Sequence, residues 1–134
     1  MRSMRCNKVL NIMTPSISLL VVEDEPLLRL DIVDFLRQEG FVVWEADNAA
    51  RAIDTLVEHQ EIRLLLTDVD MPGAMDGIKL AAYVRDRWPP LKIIVVSGYR
   101  TVQTDEIPAE SRFISKPYDP RRIVRTINKM LDFG

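Results

Sequence analysis

The sequence predicts one α/β domain of the doubly wound class, in which a five-stranded parallel sheet carries helices on both faces. Short, nearly continuous apolar runs recur along the chain, as in strands that are buried on both faces. Each run is followed by a segment with helical periodicity, and such alternation requires right-handed crossovers and a parallel sheet. The 134 residues, 47% of them hydrophobic and 28% charged, suit one globular domain.

The first predicted strand, residues 17–22, is almost entirely apolar and stops at an acidic triplet. The helix after it begins at Pro26, which suits a first helical turn, and ends at Gly40, which can adopt the left-handed conformation. Its predicted inward face carries four apolar residues: Leu28, Ile32, Phe35 and Leu36.

The second and third strands are predicted at residues 41–45 and 62–67, and Asp68 ends the third strand. Asn48 is expected to cap the helix between them. This helix turns three apolar residues inward: Ala52, Ile53 and Leu56.

Asp76 is expected to cap a third helix, which stops before two consecutive prolines because a residue preceding proline disfavours helical geometry. Its inward residues are Ile78, Ala81, Val84 and Trp88. The fourth strand is predicted at residues 92–96, with Ser97 directly after it.

A fifth, weaker strand is predicted at residues 112–115, and Asp119 with Pro120 opens the last helix. The inward face of that helix consists of Ile123, Ile127 and Leu131. The stretch before the fifth strand, residues 99–112, has no clear helical face and is interrupted by Pro108. We therefore expect the fourth of five helices to be short or irregular.

The chain ends and the charge balance exclude several classes of protein. We interpret residues 1–15 as a flexible N-terminal extension of a domain at residues 16–134, because the apolar run in them is too short for a signal peptide. No apolar run can span a bilayer, so membrane insertion is not expected. A net charge of −2 with dispersed Lys and Arg argues against direct nucleic-acid binding. A single cysteine, Cys6, fits a reducing cytoplasm.

Polar residues follow several predicted strands, at the edge where ligands bind in open α/β sheets. They are Glu23, Asp24, Asp68, Ser97 and Lys116. If the first and third strands are neighbours, three carboxylates converge, and their repulsion favours a hard divalent cation. Mg²⁺, or Mn²⁺, takes oxygen ligands and needs only one or two carboxylates, so Asp24 and Asp68 would suffice.

The other two polar residues, Ser97 and Lys116, are suited to binding a phosphate group. Lys116 supplies a positive charge and Ser97 a hydroxyl donor, and both interact well with phosphate oxygens. An aspartate in such a site can act as a nucleophile and form an acyl phosphate. Asp68, at the centre of this edge, is therefore the predicted phosphoacceptor.

With these residues, the chain from Ser16 to its end resembles the receiver domain of response regulators in two-component signal transduction, in its single-domain, chemotaxis-regulator-like form. The acidic pair, Asp68, Ser97 and the Lys116–Pro117 pair match the family's signature in order and close to its spacing. Further matches are Met71–Pro72 and Asp76–Gly77. The resemblance implies a flavodoxin-like sheet of strand order 2-1-3-4-5.

The resemblance also implies the metal ligands. Asp24 and Asp68 would ligate Mg²⁺ directly, Glu23 would act through water, and the backbone carbonyl of Asp70 would contribute a further oxygen.

By the same resemblance, Lys116 contacts the phosphoryl group, and the peptide bond between Lys116 and Pro117 is cis. Ser97 and Phe113 are the implied switch residues, which move when Asp68 is phosphorylated. The implied donor is a histidine kinase or a histidine phosphotransfer protein, and the output is contact with an unidentified protein. Such a domain is not an enzyme, beyond promoting its own phosphorylation and dephosphorylation.

Two alternatives remain open, and the chain departs from the family pattern in its loop at residues 69–75, which is one residue longer than the commonest form, and in its spacing from Ser97 to Lys116. Residues 64–70 also resemble the Asp-x-Asp signature of haloacid-dehalogenase-type phosphatases, although the acidic pair here precedes that motif. A receiver-like scaffold that binds partners without phosphorylation is the second alternative. Ser97 and Lys116 lie closer in sequence than is usual in the family, so its usual docking surface beside the fifth strand cannot be assumed.

Overall fold

The computed structural model of the protein describes residues 16–131. The predicted extension, residues 1–15, and residues 132–134 lie outside the described residues. The elements follow in the order β1 (Ser18–Val22), α1 (Pro26–Gln38), β2 (Val42–Ala46), α2 (Ala49–Glu58), β3 (Ile62–Asp68), α3 (Gly77–Arg87), β4 (Lys92–Ser97), β5 (Arg112–Ser115) and α4 (Pro120–Met130). No helix within residues 16–131 is long and apolar enough to cross a membrane.

The five strands form one parallel sheet with the order β2-β1-β3-β4-β5. This confirms the predicted doubly wound class and the implied strand order. β1 and β3 are neighbours, and Val22 near the end of β1 pairs with Thr67. The next residues along each strand, Glu23 and Asp68, are therefore brought to the same edge of the sheet.

Alternate residues of each strand pack into two core layers on opposite faces of the sheet. On β1, Leu20 and Val22 belong to the layer that α2 and α3 cover, whereas Leu19 and Val21 belong to the layer that α1 and α4 cover. All four side chains are at most 1% exposed. Each such burial stabilises the fold by about 1.5–3 kcal/mol, so the two layers hold the strand ends in place.

Side-chain caps define where the helices begin. The side chains of Asn48 and Asp76 accept hydrogen bonds from backbone N–H groups three residues later, at 2.9 Å in both cases, which confirms the two predicted caps. Glu25, which the sequence did not suggest as a cap, accepts from two backbone N–H groups at the start of α1. Gly40, with φ of 101°, has the expected left-handed conformation just after α1.

The inward face predicted for α1 is wrong at Leu28. This side chain is 47% exposed, and its neighbours Leu27 and Leu30 are 70% and 58% exposed. The first turn of α1 lies beside a groove formed with the loop after β5, whereas the later turns lie on the sheet. The buried residues of α1 are therefore Ile32, Val33 and Leu36.

Residues 98–111, which we call the β4–β5 segment, contain no α-helix. Their one regular element is a single 3₁₀ turn at Thr104–Glu106, which confirms the expectation of a short or irregular helix. Two apolar side chains anchor the segment to the core, Val102 at 4% and Ile107 at 7% exposure. The rest is held by polar contacts, including an Arg100–Glu106 ion pair of 2.9 Å.

Candidate functional site

Three carboxylates meet at the carboxyl ends of β1 and β3. One oxygen of each of Glu23, Asp24 and Asp68 lies within 4.8 Å of the others. Glu23 is 6% exposed and Asp68 is 4% exposed, while Asp24 is not buried. The parallel pairing of β1 with β3 therefore produces the convergence that the sequence suggested.

Lys116 is the cation of this cluster. Its Nζ lies 2.9 Å from Glu23 Oε1 and 3.3 Å from Asp68 Oδ1. The backbone N–H of Lys116 donates to the Ser97 carbonyl oxygen at 2.9 Å, which continues the β4–β5 pairing and fixes the residue at the site. The peptide bond between Lys116 and Pro117 is cis, the isomer that the resemblance implies. One ammonium group thus faces three carboxylates.

Burial and repulsion make the negative charge of this cluster unfavourable. Burial, with the nearby Glu23 charge as the second cause, raises the pKa of Asp68 to about 6, although Lys116 opposes the rise. Burial and Glu23 also raise the pKa of Asp24. Burial alone would lower the pKa of Lys116, but its hydrogen bond to Glu23 and the charge of Asp68 outweigh burial and raise it.

One oxygen of Asp68 is left in need of a ligand. Among residues 16–131, the buried Asp68 Oδ1 has an ion-pair contact with Lys116 Nζ at 3.3 Å but no hydrogen-bond partner of good geometry. A buried carboxylate oxygen without a partner is costly and is usually satisfied by a donor or a cation. Three carboxylates with one such oxygen fit the donor set of a hard divalent metal ion, which the cluster could hold.

Ser97 lies at the end of β4 and is 1% exposed. Its Oγ donates to Asp70 Oδ2 at 2.8 Å and accepts from the Tyr99 backbone N–H at 3.3 Å. Sequence reasoning gave Asp70 a metal-binding role through its backbone carbonyl and a possible negative charge beside the metal, but it did not predict this side-chain contact with Ser97. The one available signal was the position of Asp70, two residues after the end of a strand at the same sheet edge.

Two glycines allow the close packing of the site. A Cβ at Gly77, the first residue of α3, would overlap the carbonyl oxygen of Asp68. A Cβ at Gly98 would lie 3.2 Å from Lys116 Cβ. The sequence placed Gly77 in the family signature without showing this steric reason.

The predicted site residues thus fall into three groups. Glu23, Asp24, Asp68 and Lys116 form the cluster. Ser97 and Asp70 form a hydrogen-bonded pair at the same edge. Phe113 lies apart, on β5 beside Val95, where it is partly buried against the core layer under α2 and α3.

Known proteins are similar to this chain over most of its length. A family model described as the response regulator receiver domain matches residues 19–128, a range that includes the whole cluster. The response regulator receiver protein CpdR of Brucella abortus is 37% identical over 116 residues, covering 84% of this chain and 95% of its own length. The chemotaxis protein CheY of Bacillus subtilis is 36% identical over 118 residues, covering 85% of this chain and 97% of its own.

A solved structure agrees with these relatives. The receiver domain of the hybrid histidine kinase CckA superposes with a TM-score of 0.73 at 30% identity, covering 85% of this chain and 98% of that domain. These matches give no support to the haloacid-dehalogenase alternative. The chain therefore belongs to the receiver-domain family of two-component response regulators.

Proposed function

We propose that the chain is a phosphorylation-activated switch in which Asp68 accepts a phosphoryl group from a phosphohistidine. The observation that carries this proposal is the buried Asp68 Oδ1, which has no hydrogen-bond partner of good geometry in the described part of the chain and lies 3.3 Å from Lys116 Nζ. In the transfer, an Asp68 carboxylate oxygen attacks phosphorus, and the P–N bond to the donor imidazole breaks. The electron pair of that bond leaves with the imidazole, which takes up a proton.

The carboxylate cluster is the proposed Mg²⁺ site, which Mn²⁺ could also occupy. Asp24 and Asp68 are the proposed direct ligands, Glu23 acts through water, and the backbone carbonyl of Asp70 supplies a further oxygen. A bound divalent ion would neutralise charge on the phosphoryl oxygens. The residues themselves hold Asp68 in place and leave one of its oxygens without a competing hydrogen bond.

Lys116 and Ser97 are the proposed partners of the phosphoryl oxygens. Lys116 is already within 3.3 Å of Asp68, so a small movement of its flexible ammonium group would pair it with the new charge. Ser97 and Phe113 are the proposed switch residues. Phosphorylation would shift the population between two arrangements in proportion to how differently the phosphoryl group interacts with each.

The proposed partners follow from the family. The donor would be a histidine kinase or a histidine phosphotransfer protein, and the output would be contact with an unidentified protein. Within this proposal, residues 16–134 form the receiver domain, which acts in the cytoplasm, and the only chemistry that it promotes is its own phosphorylation and dephosphorylation. Neither a membrane nor a nucleic acid is a proposed direct partner.

Intact-mass spectrometry after incubation with acetyl phosphate and Mg²⁺ tests the acceptor. We expect one phosphoryl adduct on the wild-type protein, none on Asp68→Asn, and an unchanged adduct on the control Asp105→Asn, which alters an exposed carboxylate. An adduct that persists in Asp68→Asn would refute the assignment of the acceptor. Absence of any adduct on the wild-type protein would favour the phosphorylation-independent scaffold.

A further inference from the structure

We propose that Arg29 is a positioning residue for the β1–α1 loop, residues 23–25, which carries two of the three clustered carboxylates. Its guanidinium bridges this loop to β2: Nη1 donates to the Glu23 carbonyl oxygen at 2.7 Å, and Nε donates to Glu45 Oε1 at 3.1 Å. The inference rests on the proposed function, because it concerns the metal ligands of that site. It assigns a role to a residue outside the cluster, which the sequence did not suggest.

The bond from Arg29 fixes the backbone from which Asp24 projects. The backbone N–H of Glu23 donates to the Ala46 carbonyl oxygen of β2 at 3.0 Å, so the peptide plane before Glu23 is tied to the sheet. The peptide plane after Glu23 contains the carbonyl oxygen that Arg29 holds, and it leads directly to Asp24. Because a peptide unit is planar, holding both planes fixes φ and ψ of Glu23 and hence the position of the Asp24 Cα atom.

Asp24 depends on this backbone more than the other two carboxylates do. Glu23 and Asp68 are buried, and Lys116 contacts a carboxylate oxygen of each. The Glu23 carboxylate also accepts from the Glu25 backbone N–H at 3.1 Å. Asp24 is not buried, so packing does not hold its side chain. The direction of this proposed metal ligand is therefore set mainly by the peptide plane that precedes it.

Glu45 holds Arg29 in the orientation that reaches the loop. Glu45 lies on β2 beside Val21 of β1, and its carboxylate binds Arg29 Nε while Nη1 is directed at the Glu23 carbonyl oxygen. The side chains of Arg29 and Glu45 are 21% and 41% exposed, so their ion pair adds little to stability. A planar guanidinium has donors in fixed directions and suits a bridge between two acceptors, which a lysine ammonium cannot reproduce.

The charge of Arg29 would act in the opposite direction to its geometry. A guanidinium near three carboxylates repels an incoming divalent cation, so charge alone predicts tighter metal binding when Arg29 is removed. Loss of a positioning contact predicts weaker binding, because mutating the contacts that orient metal ligands lowers affinity about 10–100-fold. Arg29→Lys keeps the charge and removes the planar bridge, so it isolates the geometric effect.

Mn²⁺ binding, measured from the electron paramagnetic resonance signal of the free ion, tests the inference. We expect Arg29→Lys to weaken Mn²⁺ binding about tenfold and Glu45→Gln to weaken it by less. Arg37→Lys is the matched control and should bind as the wild type does. Arg37 lies on the same helix and approaches Glu45 at 3.7 Å, but it donates to the Val43 carbonyl oxygen, at 2.7 Å, in β2. Equal weakening in both lysine variants, unchanged or tighter binding in Arg29→Lys, or no binding by the wild type would overturn the inference.

NMR amide signals recorded without divalent ions test the contact itself. Because the shift of a backbone amide responds to a hydrogen bond at the preceding carbonyl, Arg29→Lys should move the Asp24 signal and Arg37→Lys the Trp44 signal. An unmoved Asp24 signal would overturn the inference. If Mn²⁺ binding and the Asp24 signal change as expected but the wild type forms no phosphoryl adduct with acetyl phosphate, the inference stands and the proposed function fails. A phosphoryl adduct with unchanged Mn²⁺ binding in Arg29→Lys would have the reverse meaning.

Discussion

Acidic side chains have opposite pKa shifts in the carboxylate cluster and in the β4–β5 segment. In the cluster, burial and the neighbouring Glu23 raise the pKa of Asp68 to about 6. In the segment, hydrogen bonds from the Gln103 N–H and the Arg100 side chain lower the pKa of Glu106. Desolvation dominates where the core layers close over the strand ends, and local hydrogen bonds dominate where water is accessible.

This difference indicates which part of the molecule has its conformation fixed by long-range packing. The cluster depends on side chains far apart in sequence that packing forces together, as the contact between Lys116 and Glu23, 93 residues apart, shows. The segment is held by local contacts, two apolar anchors and a hydrogen bond from the Arg85 side chain to the Ala109 carbonyl oxygen, so we expect it to rearrange at lower cost. A rigid acceptor beside an adaptable segment is a suitable arrangement for a switch.

The largest effect is expected at Gly77. In Gly77→Ala, the new Cβ would overlap the Asp68 carbonyl oxygen, so backbone must shift at the site, and we expect a loss of about 3 kcal/mol in unfolding free energy. Gly73→Ala is the matched control, because Gly73 has positive φ of 102° but open space around it. The control should lose about 1 kcal/mol from backbone strain alone. Equal losses in urea unfolding would contradict the steric account of the site.

A smaller effect is expected for the anchor of the β4–β5 segment. Ile107→Ala removes a side chain that is 7% exposed, and we expect it to lower the unfolding free energy by about 2 kcal/mol, the low end for Ile→Ala. Ile93→Ala, in the fully buried part of β4, should cost clearly more, because the sheet cannot relax around the cavity. If urea unfolding gives equal losses, the segment packs as tightly as the sheet.

Removing the charge of Asp68 should stabilise the protein without divalent ions. Because the folded pKa of about 6 lies above the ordinary value of 3.8, ionising Asp68 costs stability as the pH rises between these values. Asp68→Asn should therefore be about 1–2 kcal/mol more stable than wild type at pH 8, and the advantage should vanish near pH 4. Thermal unfolding in EDTA at several pH values measures it.

The control for this prediction is Asp105→Asn in the β4–β5 segment, whose exposed carboxylate should show no such pH-dependent gain. A lower stability of Asp68→Asn at pH 8 would mean that Lys116 more than compensates the charge of Asp68. The cluster and the segment would then not differ in the way that their pKa shifts suggest.

The smallest effect is expected at Glu110, the one described residue other than glycine with positive φ, at 69°. Glu110→Gly removes the steric strain of this conformation, and we expect a gain of less than about 1 kcal/mol. Ala109→Gly, at the preceding exposed position, should instead lose stability because glycine makes the unfolded chain more flexible. Thermal unfolding of both variants tests this, and a loss at Glu110 would show that its side chain is needed.

The order and type of the elements could be predicted from the amino-acid sequence alone. Apolar periodicity gave the strands and helices, and the caps at Asn48 and Asp76 were readable because a cap depends on residues only three positions apart. The irregular β4–β5 segment was also predictable, because Pro108 and the missing helical face are local features. The polar residues of the site could be named because each follows a strand.

Which of these residues contact one another could not be predicted, because it depends on the tertiary packing. The hydrogen bond from Ser97 to Asp70 joins residues 27 positions apart, and no sequence pattern specifies which partner a hydroxyl selects. The exposure of Leu28 and the raised pKa of Asp68 also depend on which surfaces cover them. Burial and long-range pairing arise from the packing of whole elements, whereas strands, turns and caps arise from neighbours along the chain.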